Sequence, residues 1–238
     1  MSEEALKRRL QNRVGVGVCS LGMIFLAGIA LAASRYTDLR RIEPIHGDTA
    51  AGAQKAAVCH ACHGVGESVA PTFPRLAGQR PDYLYHRLVS FKTANPKDPY
   101  YSQSAMTSQV ANLTDTDMRD LAVYFSAQTP TAGNAATVPA AMAGKGQELF
   151  LSGQPARGIP PCQGCHGADA RGTPIATGQY AAYPSLRGQY APYLIARLTS
   201  FHNSQPHDTT NDFIMDGVAQ TLDEESIQAL AAWLSSLN

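Results

Sequence analysis

The chain has 238 residues, which is long enough for one large or two small domains, and only 16 per cent of them are charged. Its 19 basic and 19 acidic residues cancel over the whole chain. Seven of the basic residues lie within residues 1–41, however, so residues 42–238 hold twelve basic and sixteen acidic side chains. A basic patch for nucleic acid is therefore excluded, and any electrostatic steering favours a cationic partner.

The first predicted element is an apolar segment at residues 14–33 that contains no charged residue. As a helix, its twenty residues would match the thickness of a bilayer's hydrocarbon core. We predict a transmembrane anchor here, with residues 1–13 in the cytoplasm. The alternative is a cleaved secretory signal, because the sequence around Ala32 resembles a peptidase site. Cys19 is predicted to be a buried apolar thiol rather than a lipidation site.

Two pentapeptides of one pattern follow, at residues 59–63 and 162–166. Each has two cysteines three positions apart and a histidine directly after the second, which is the spacing of covalent haem c attachment. The two thiols would bind the vinyl groups of one porphyrin, and the imidazole would take one axial position on the iron. The predicted attachment residues are Cys59, Cys62, Cys162 and Cys165, and the predicted proximal ligands are His63 and His166.

The same cysteine spacing also occurs in zinc half-sites and in redox dithiols. Both copies here are followed by His, and neither has a second cysteine pair nearby to complete a zinc tetrahedron. We therefore predict two covalently bound haems c as the cofactors. Because haem c is attached on the outer side of the membrane, both interpretations of the N-terminal segment place the haem domains there. His60, between the first two cysteines, is predicted to lie at the surface.

The two halves of the chain repeat each other beyond the haem motifs. Residues 73–79, Phe-Pro-Arg-Leu-Ala-Gly-Gln, match residues 183–189, Tyr-Pro-Ser-Leu-Arg-Gly-Gln, at an offset of 110. The match continues at an offset of 109, and the second half has gained seven residues between its haem motif and this block. Such a repeat indicates a domain that was duplicated and fused. The predicted divisions are a linker at 34–47, a first haem domain at 48–128, a linker at 129–139 and a second haem domain at 140–238.

Hydrophobic periodicity after residue 47 predicts helices and no strand. Pro81 stands at a favoured first-turn position, and Thr114 with Asp117 predicts a capping box. The predicted helices are 48–59, 81–92 and one after the capping box in the first half, with counterparts at 140–151, 192–202 and 221–237 in the second.

The repeat also indicates the second axial ligand of each haem. Met106 and Met215 match at the offset of 109, and a thioether opposite His is a common ligand of electron-transfer haems. Both are predicted to lie in irregular stretches before the last helix of their half. The alternative is that they fill gaps in the core. Met118, which matches Ile227 inside a predicted helix, is interpreted as core instead.

Further residues are predicted to support the haems. The carbonyls of Pro74 and Pro184 are placed to accept the free N–H of the proximal His and orient it, with Pro71 as an alternative in the first half. The candidates for the haem propionates are Arg75, Arg80, Arg87, Arg187 and Arg197. Of these, Arg87 and Arg197 match across the repeat, unless they are simply solvated.

With two such haem motifs, the Phe/Tyr-Pro-x-Leu-x-Gly-Gln block and a late Met before an aromatic-containing helix, the chain resembles the dihaem cytochrome c4 family over residues 46–238. The resemblance implies an all-α fold of two tandem class I cytochrome c domains related by approximate two-fold pseudo-symmetry, here preceded by one N-terminal transmembrane helix. The seven-residue insertion near residues 168–183 departs from the pattern. A membrane-anchored chain of this kind is similar to those of iron-oxidising acidophiles, in which the donor is a small copper protein.

The predicted function is single-electron transfer rather than catalysis. Electrons would pass from a periplasmic donor, a copper protein or another cytochrome, to a terminal cytochrome oxidase, with the protein anchored in the bacterial inner membrane and its haem domains in the periplasm. The alternatives are a fixed haem subunit of a respiratory complex and an enzyme, either a dihaem peroxidase or a sulfur-compound dehydrogenase. Both halves offer a Met ligand and no further cysteine, which disfavours the enzymes.

Overall fold

The computed structural model describes residues 37–65, 68–94, 99–130, 139–175, 177–204 and 208–238. The chain divides into residues 1–37 and a unit of residues 38–238, which contains both haem motifs. The predicted anchor at 14–33 lies outside the described residues. Within the described ranges, none of the helices combines the length and the apolar character needed to cross a membrane.

The described residues form helices in both halves, as the repeat predicts. Those of the first half are α1 (Thr49–Lys55), α2 (Ala57–His63), α3 (Pro81–Thr93), α4 (Pro99–Ser102), α5 (Ala105–Val110) and α6 (Asp115–Ser126). Those of the second half are α7 (Ala140–Ser152), α8 (Gln163–His166), α9 (Ala191–His202), α10 (Thr210–Ala219) and α11 (Glu224–Ser236), with 3-10 turns at Pro155–Arg157 and Gly178–Ala182. Every named element in the described ranges is helical, and extended pairing is limited to isolated bridges such as that between Gln154 and Ile159, so the all-α prediction is confirmed.

Local sequence signals explain where these helices begin. The predicted capping box is present: the Thr114 hydroxyl accepts from the Asp117 N–H at 3.1 Å, and the Asp117 carboxylate accepts from the Thr114 N–H at 2.8 Å. Pro81 occupies the first turn of α3, where its missing N–H has no helical partner to lose. Met118 and Ile227 are both buried, which confirms their assignment to the core.

Two helix predictions are corrected. The helix predicted at 48–59 is interrupted at Ala56 and its second part continues to His63, so the whole first haem motif is helical. Met106 and Met215 lie on α5 and α10 rather than in irregular chain. The reason is local capping: the Ser104 hydroxyl accepts from the Met106 N–H at 3.3 Å, and Thr209 begins α10 with a capping box of its own.

The core of each half is organised by one pair of crossing helices. In the first half α1 packs on α6, and in the second half α7 packs on α11. Glycine permits both approaches, because Gly52 lies against the backbone of Asp120 and Gly146 lies against the backbone of Ala229. Beside the second crossing, the rings of Phe150 and Trp233 pack with their centroids 4.8 Å apart. The crossing helices thus bring the haem motif of each half against the last helix of that half.

Gly146→Ala is expected to lower the free energy of unfolding by about 1–3 kcal/mol, because the added Cβ would overlap the Ala229 carbonyl and stand 2.9 Å from the Trp233 Cβ. Gly144, two residues earlier on α7, has no atom within 4 Å of such a Cβ. Gly144→Ala is therefore expected to raise stability by up to about 1 kcal/mol through helix propensity. Chemical denaturation of the two variants would test the helix crossing, and equal effects would contradict it.

A reciprocal pair of glutamines joins the two halves by hydrogen bonds. The Gln79 side chain accepts from the Ser185 N–H at 2.8 Å and donates to the Ser185 carbonyl at 2.9 Å. The Gln189 side chain does the same with the backbone of Arg75, at 2.9 and 3.1 Å. Because residues 75 and 79 match residues 185 and 189 in the repeat, the contact has approximate two-fold symmetry.

Matched glycines present these glutamines. Gly78 and Gly188 have φ of +68° and +67°, a left-handed conformation that favours glycine. Their N–H groups donate to the carbonyls of Phe125 and Leu234, the former near the end of α6 and the latter near the end of α11, both at 2.9 Å. The Leu-x-Gly-Gln pattern is therefore a loop tied to the last helix of its own half, with a glutamine that reaches the other half.

The insertion of the second half also contacts the first half. The Arg80 guanidinium donates to the carbonyls of Thr173 at 2.8 Å and of Ala181 at 3.0 Å. The matched residue in the second half is Tyr190, whose hydroxyl accepts from the Ser68 N–H at 3.0 Å. The matched positions 80 and 190 thus make different contacts across the interface: Arg80 bonds to carbonyls of the insertion, and Tyr190 bonds to Ser68.

Residues 38–41 precede the first half in the sequence, but they pack on the second half. Leu39 is only 2 per cent exposed, and its N–H donates to the Thr210 hydroxyl at the start of α10, at 3.0 Å. A Cβ on Gly178 would stand 2.9 Å from the Arg40 carbonyl, so this segment also lies on the insertion. Part of the predicted linker at 34–47 is thus an ordered strap across the second half.

Candidate haem sites

Each pair of motif cysteines is carried by one helical turn. Cys59 and Cys62 lie three residues apart on α2, which places both side chains on one side of the helix. Cys162 is the N-cap of α8 and Cys165 lies within it. None of these four cysteines is in a disulfide; Cys62 is exposed and the others are half-buried. Two neighbouring thiols at the protein surface are the arrangement that two thioether bonds to one porphyrin edge require.

The proximal histidines end these helices and are held by the predicted carbonyls. His63 Nδ1 lies 2.8 Å from the Pro74 carbonyl, and His166 Nδ1 lies 3.0 Å from the Pro184 carbonyl. A carbonyl only accepts, so each Nδ1 carries the hydrogen and donates it, and the lone pair of Nε2 remains available for iron. The predictions for Pro74 and Pro184 are confirmed, which removes the alternative of Pro71.

Burial keeps both imidazoles neutral. It lowers the pKa of His63 and of His166, against the opposing effect of the Pro74 and Pro184 carbonyls. His63 and His166 are 9 and 6 per cent exposed. The neutral imidazole is the form that binds a metal.

Two features next to the histidines escaped the sequence analysis. Gly64 and Gly167 directly follow them with φ of +69° and +74°, and each ends its helix so that the chain turns away from the imidazole. The rings of Phe73 and Tyr183, matched in the repeat, stand 6.2 Å from the imidazoles of His63 and His166. Burial raises the pKa of Tyr183 to about 12, so its phenol stays protonated. Both features could have been predicted, because a glycine and an aromatic residue recur at matched positions in the two halves.

The thiols do not have the character of a zinc or redox site. Burial raises the pKa of Cys59, and it raises that of Cys162 to about 11. Reactive dithiols instead have lowered pKa values. Within the described part of the chain, no three His, Cys, Asp or Glu side chains cluster as a metal site would need. The alternatives that the cysteine spacing left open therefore lack support in the surroundings of the thiols.

The prediction that His60 lies at the surface is wrong. The side chain is half-buried, with Nδ1 2.7 Å from the Gly64 carbonyl and Nε2 3.2 Å from the Tyr124 hydroxyl. Its ring also packs edge-on against Phe125 at 5.3 Å. Because Tyr124 and Phe125 belong to α6, His60 fastens the first haem motif to the last helix of its half, and it cannot be a free surface ligand.

The candidate distal ligands occupy matched helices. Met106 on α5 and Met215 on α10 are both half-buried. α5 packs on α3, and α10 packs on α9, which is the counterpart of α3. Both methionines are thus presented by equivalent elements of the two halves, as the repeat predicts for a shared role.

Arginines and tyrosines from both halves meet at the interface. Arg87 Nη1 lies 3.7 Å from an Asp212 carboxylate oxygen, and Arg197 donates to the Tyr100 hydroxyl. Burial disfavours the charge of Arg87, but Asp212 and Tyr100 raise its pKa overall, so the guanidinium stays charged. Tyr193 is buried next to Tyr83, its match in the repeat, and its pKa is raised by that burial. Arg87 and Arg197 are therefore not simply solvated, because each is bonded to a side chain of the other half.

This donor set fits haem c in each half. A free thiol pair, a neutral imidazole with its Nδ1 already satisfied, and a thioether on a matched helix are the groups that covalent attachment and axial ligation use.

Comparison with known proteins agrees with these sites. The sequence matches the cytochrome c family over residues 49–128 and 143–238, one match for each haem motif. Cytochrome c4 of Azotobacter vinelandii is 38% identical over 198 residues, which cover 81% of this chain and 90% of that protein. A protein of Thiomonas intermedia named thiosulfate dehydrogenase electron acceptor is 33% identical over 190 residues, covering 79% and 82%.

The fold agrees as well. The crystal structure of reduced recombinant cytochrome c4 from Pseudomonas stutzeri matches with a TM-score of 0.69 and 36% identity, covering 81% of this chain and all of that one. Two covalently bound haems c are therefore the cofactors of this chain. Since the tandem fold, both haem motifs and more than a third of the residues are shared across most of both sequences, the chain belongs to the dihaem cytochrome c4 family.

Proposed function

We propose that this protein relays single electrons through two haems, from a periplasmic donor to a terminal oxidase, while tethered to the inner membrane. Cys59 and Cys62 hold the first haem, and Cys162 and Cys165 hold the second. His63 and Met106 are the axial ligands of the first iron, and His166 and Met215 are those of the second. Each bound haem iron supplies one-electron oxidation and reduction.

The observation that carries this proposal is the equivalence of the two sites. In each half a proline carbonyl at a matched position orients the histidine, and a matched pair of helices presents the methionine. A peroxidase needs one haem with an open or displaceable position, so its two sites would have to differ in ligand supply. Two sites with the same ligands suit a carrier, in which both haems only gain and lose electrons.

The chain's own residues have three tasks in such a carrier. The Pro74 and Pro184 carbonyls hold the imidazole rings in one orientation, which fixes the ligands in both oxidation states. Gln79 and Gln189 fix the distance between the halves, since each is hydrogen-bonded to the backbone of the other half. Arg87 and Arg197 hold the interface together through Asp212 and Tyr100 and remain candidates for the haem propionates.

The membrane tether and the class of electron donor are proposed from the sequence and from similarity to other proteins. Residues 14–33 carry no charge and are long enough to cross a bilayer, which supports a retained anchor with the haem domains in the periplasm. The negative formal charge of residues 42–238 favours a donor with a positive surface, either a copper protein or another cytochrome. The similarity to named electron acceptors of thiosulfate dehydrogenases makes a sulfur-oxidising enzyme a second class of donor.

A redox titration of the full chain followed by absorbance would test the proposal. We expect two one-electron steps at high potential and the methionine-to-ferric-iron charge-transfer band in both haems, because a thioether ligand stabilises the ferrous iron. Absence of that band from either haem, or turnover of hydrogen peroxide, would overturn the carrier assignment. Reduction by a copper protein and by a thiosulfate dehydrogenase, measured in parallel by stopped flow, would separate the donor classes.

A further inference from the structure

The loop after each haem motif is held by a residue of the other half. Arg80 of the first half donates from its guanidinium to the Thr173 carbonyl at 2.8 Å. Tyr190 of the second half accepts through its hydroxyl from the Ser68 N–H at 3.0 Å. Residues 80 and 190 match in the repeat at the offset of 110. Each half therefore supports the chain beside the haem motif of the other, with a cation in one case and a hydroxyl in the other.

The contact made by Arg80 is connected to the proximal histidine of the second haem. Thr173 directly follows Gly172, whose N–H donates to the His166 carbonyl at 2.8 Å. Gly172 has a φ of +100°, and a Cβ on it would stand 2.5 Å from Arg80 Nη1. A glycine at this position therefore both permits the left-handed backbone and leaves room for the guanidinium. One residue separates the carbonyl that accepts from Arg80 from the N–H that binds the chain at His166.

Arg80 keeps its positive charge among neutral acceptors. Its guanidinium also donates to the carbonyls of Ala181 at 3.0 Å and Ile175 at 3.4 Å. Burial lowers the pKa of Arg80, but a guanidinium remains protonated at neutral pH. Among the described residues, Asp82 is the charged group that acts on it, and burial raises the pKa of that carboxyl. The charge of Arg80 is thus only partly offset, and the half-buried site screens it less than bulk water would.

We propose that Arg80, although it belongs to the first half, is a positioning residue of the second haem: it fixes the loop that follows His166, and its charge raises the reduction potential of that haem. The inference rests on the proposed function, in which both haems gain and lose electrons. Reduction adds a negative charge at the iron, so a nearby cation stabilises the ferrous state. Groups outside the axial ligands are a recognised means by which a protein adjusts a haem potential.

Tyr190 has the reciprocal position at the first haem. Ser68 precedes Val69, whose N–H donates to the Cys62 carbonyl at 3.0 Å, so this loop too is connected to its haem motif. Tyr190 supplies a hydroxyl and no guanidinium. The carbonyls that accept from Arg80 belong to the insertion of the second half, which the first half lacks. The matched position therefore carries a cation beside the second haem and none beside the first.

Proton NMR of the full-length holoprotein during stepwise reduction would test this inference. The methyl signals of each haem are assigned through the cysteines that bind it, so the two haems are followed separately and without reference to the methionines. Arg80→Gln removes the charge and keeps an N–H donor for the carbonyls. We expect it to raise the ferric-to-ferrous ratio of the second haem several-fold at the potential where the unaltered protein has equal amounts. The ratio of the first haem at its own midpoint should stay unchanged.

Three further variants separate charge from loop geometry. Arg80→Lys retains the charge and should keep the ratio of the second haem near that of the unaltered protein. Raising the pH until the introduced amine loses its proton should then produce the increase, relative to the unaltered protein at the same pH. Arg171→Gln removes an exposed cation from the same loop, where water screens it, and should change the ratio little. Tyr190→Phe should leave the second haem unchanged.

The outcomes distinguish this inference from the proposed function. In Arg80→Gln, an equal change in both haems, a change confined to the first haem, or no change would overturn the inference. An equal change in Arg80→Lys at neutral pH would also overturn it, because loop geometry rather than charge would then be the cause. If Arg80→Gln does not fold, the pH series of Arg80→Lys decides alone. Absence of the methionine band from the unaltered protein would overturn the proposed ligands, and it is read independently of these ratios.

Discussion

Replacing Met106 by His is expected to lower the reduction potential of the first haem alone. A second imidazole stabilises ferric iron more than a thioether does, and axial ligands set haem potentials over a range of ~0.8 V. We expect a decrease on the order of 100 mV, a modest part of that range. The methionine charge-transfer band of one haem should vanish, and half of the original amplitude should remain, because the second haem keeps Met215.

Two matched variants make this result specific. Met215→His should produce the same change in the other haem, and the double variant should lose the whole band. Met118→Leu replaces a methionine that is 4 per cent exposed and packed in the core, so it should leave both potentials unchanged. A decrease of equal size with Met118→Leu, or an unchanged potential with Met106→His, would refute the ligand role of Met106.

Arg87→Met is expected to lower the free energy of unfolding by about 3 kcal/mol, because it leaves the Asp212 carboxylate in the interface without its guanidinium. Both side chains are nearly buried, with exposed fractions of 15 and 10 per cent. Removing one member of a buried ion pair costs more than removing both. The double variant Arg87→Met with Asp212→Asn should therefore recover most of the loss. Denaturation of the holoprotein in guanidinium, followed by circular dichroism, would measure these differences.

The repeat supplies the control for this prediction. Arg197 matches Arg87, but its partner across the interface is the neutral Tyr100 hydroxyl, and its guanidinium also stacks on Phe201 at 4.5 Å. Arg197→Met leaves no charged partner unpaired, so we expect it to lower the free energy of unfolding by only about 1 kcal/mol. If the two variants were equally destabilised, packing rather than charge would be the cause.

Features governed by neighbouring residues could be predicted from the sequence. The cysteine and histidine motif is only five residues long, and the capping box of Thr114 and Asp117 spans four residues. The role of the Pro74 and Pro184 carbonyls required the comparison of the halves, which matched the two prolines although the loop after the histidine is seven residues longer in the second half. The sequence therefore predicted how the proximal histidines are held. On the distal side Met106 and Met215 stay predictions as ligands, and their helical structure was missed.

Features that depend on distant parts of the chain escaped prediction. His60 is half-buried because Tyr124 and Phe125 arrive from α6, which nothing next to the motif signals. Gln79 and Gln189 are polar residues at matched positions, yet their partners belong to the other half. The helices around Met106 and Met215 have only 6 and 10 residues, so hydrophobic periodicity over them is a weak signal. Local capping determines that these segments are helical.

The glutamine contact between the halves is isologous: the same patch of each half meets the same patch of the other. That is the geometry of a symmetric homodimer, in which a single half would bind a second copy of itself through Gln79 and the backbone of residue 75. Joining the two copies in one chain makes their association independent of protein concentration. It also frees each copy to change alone, and one result is an ion pair at Arg87 where the matched Arg197 contacts a neutral hydroxyl.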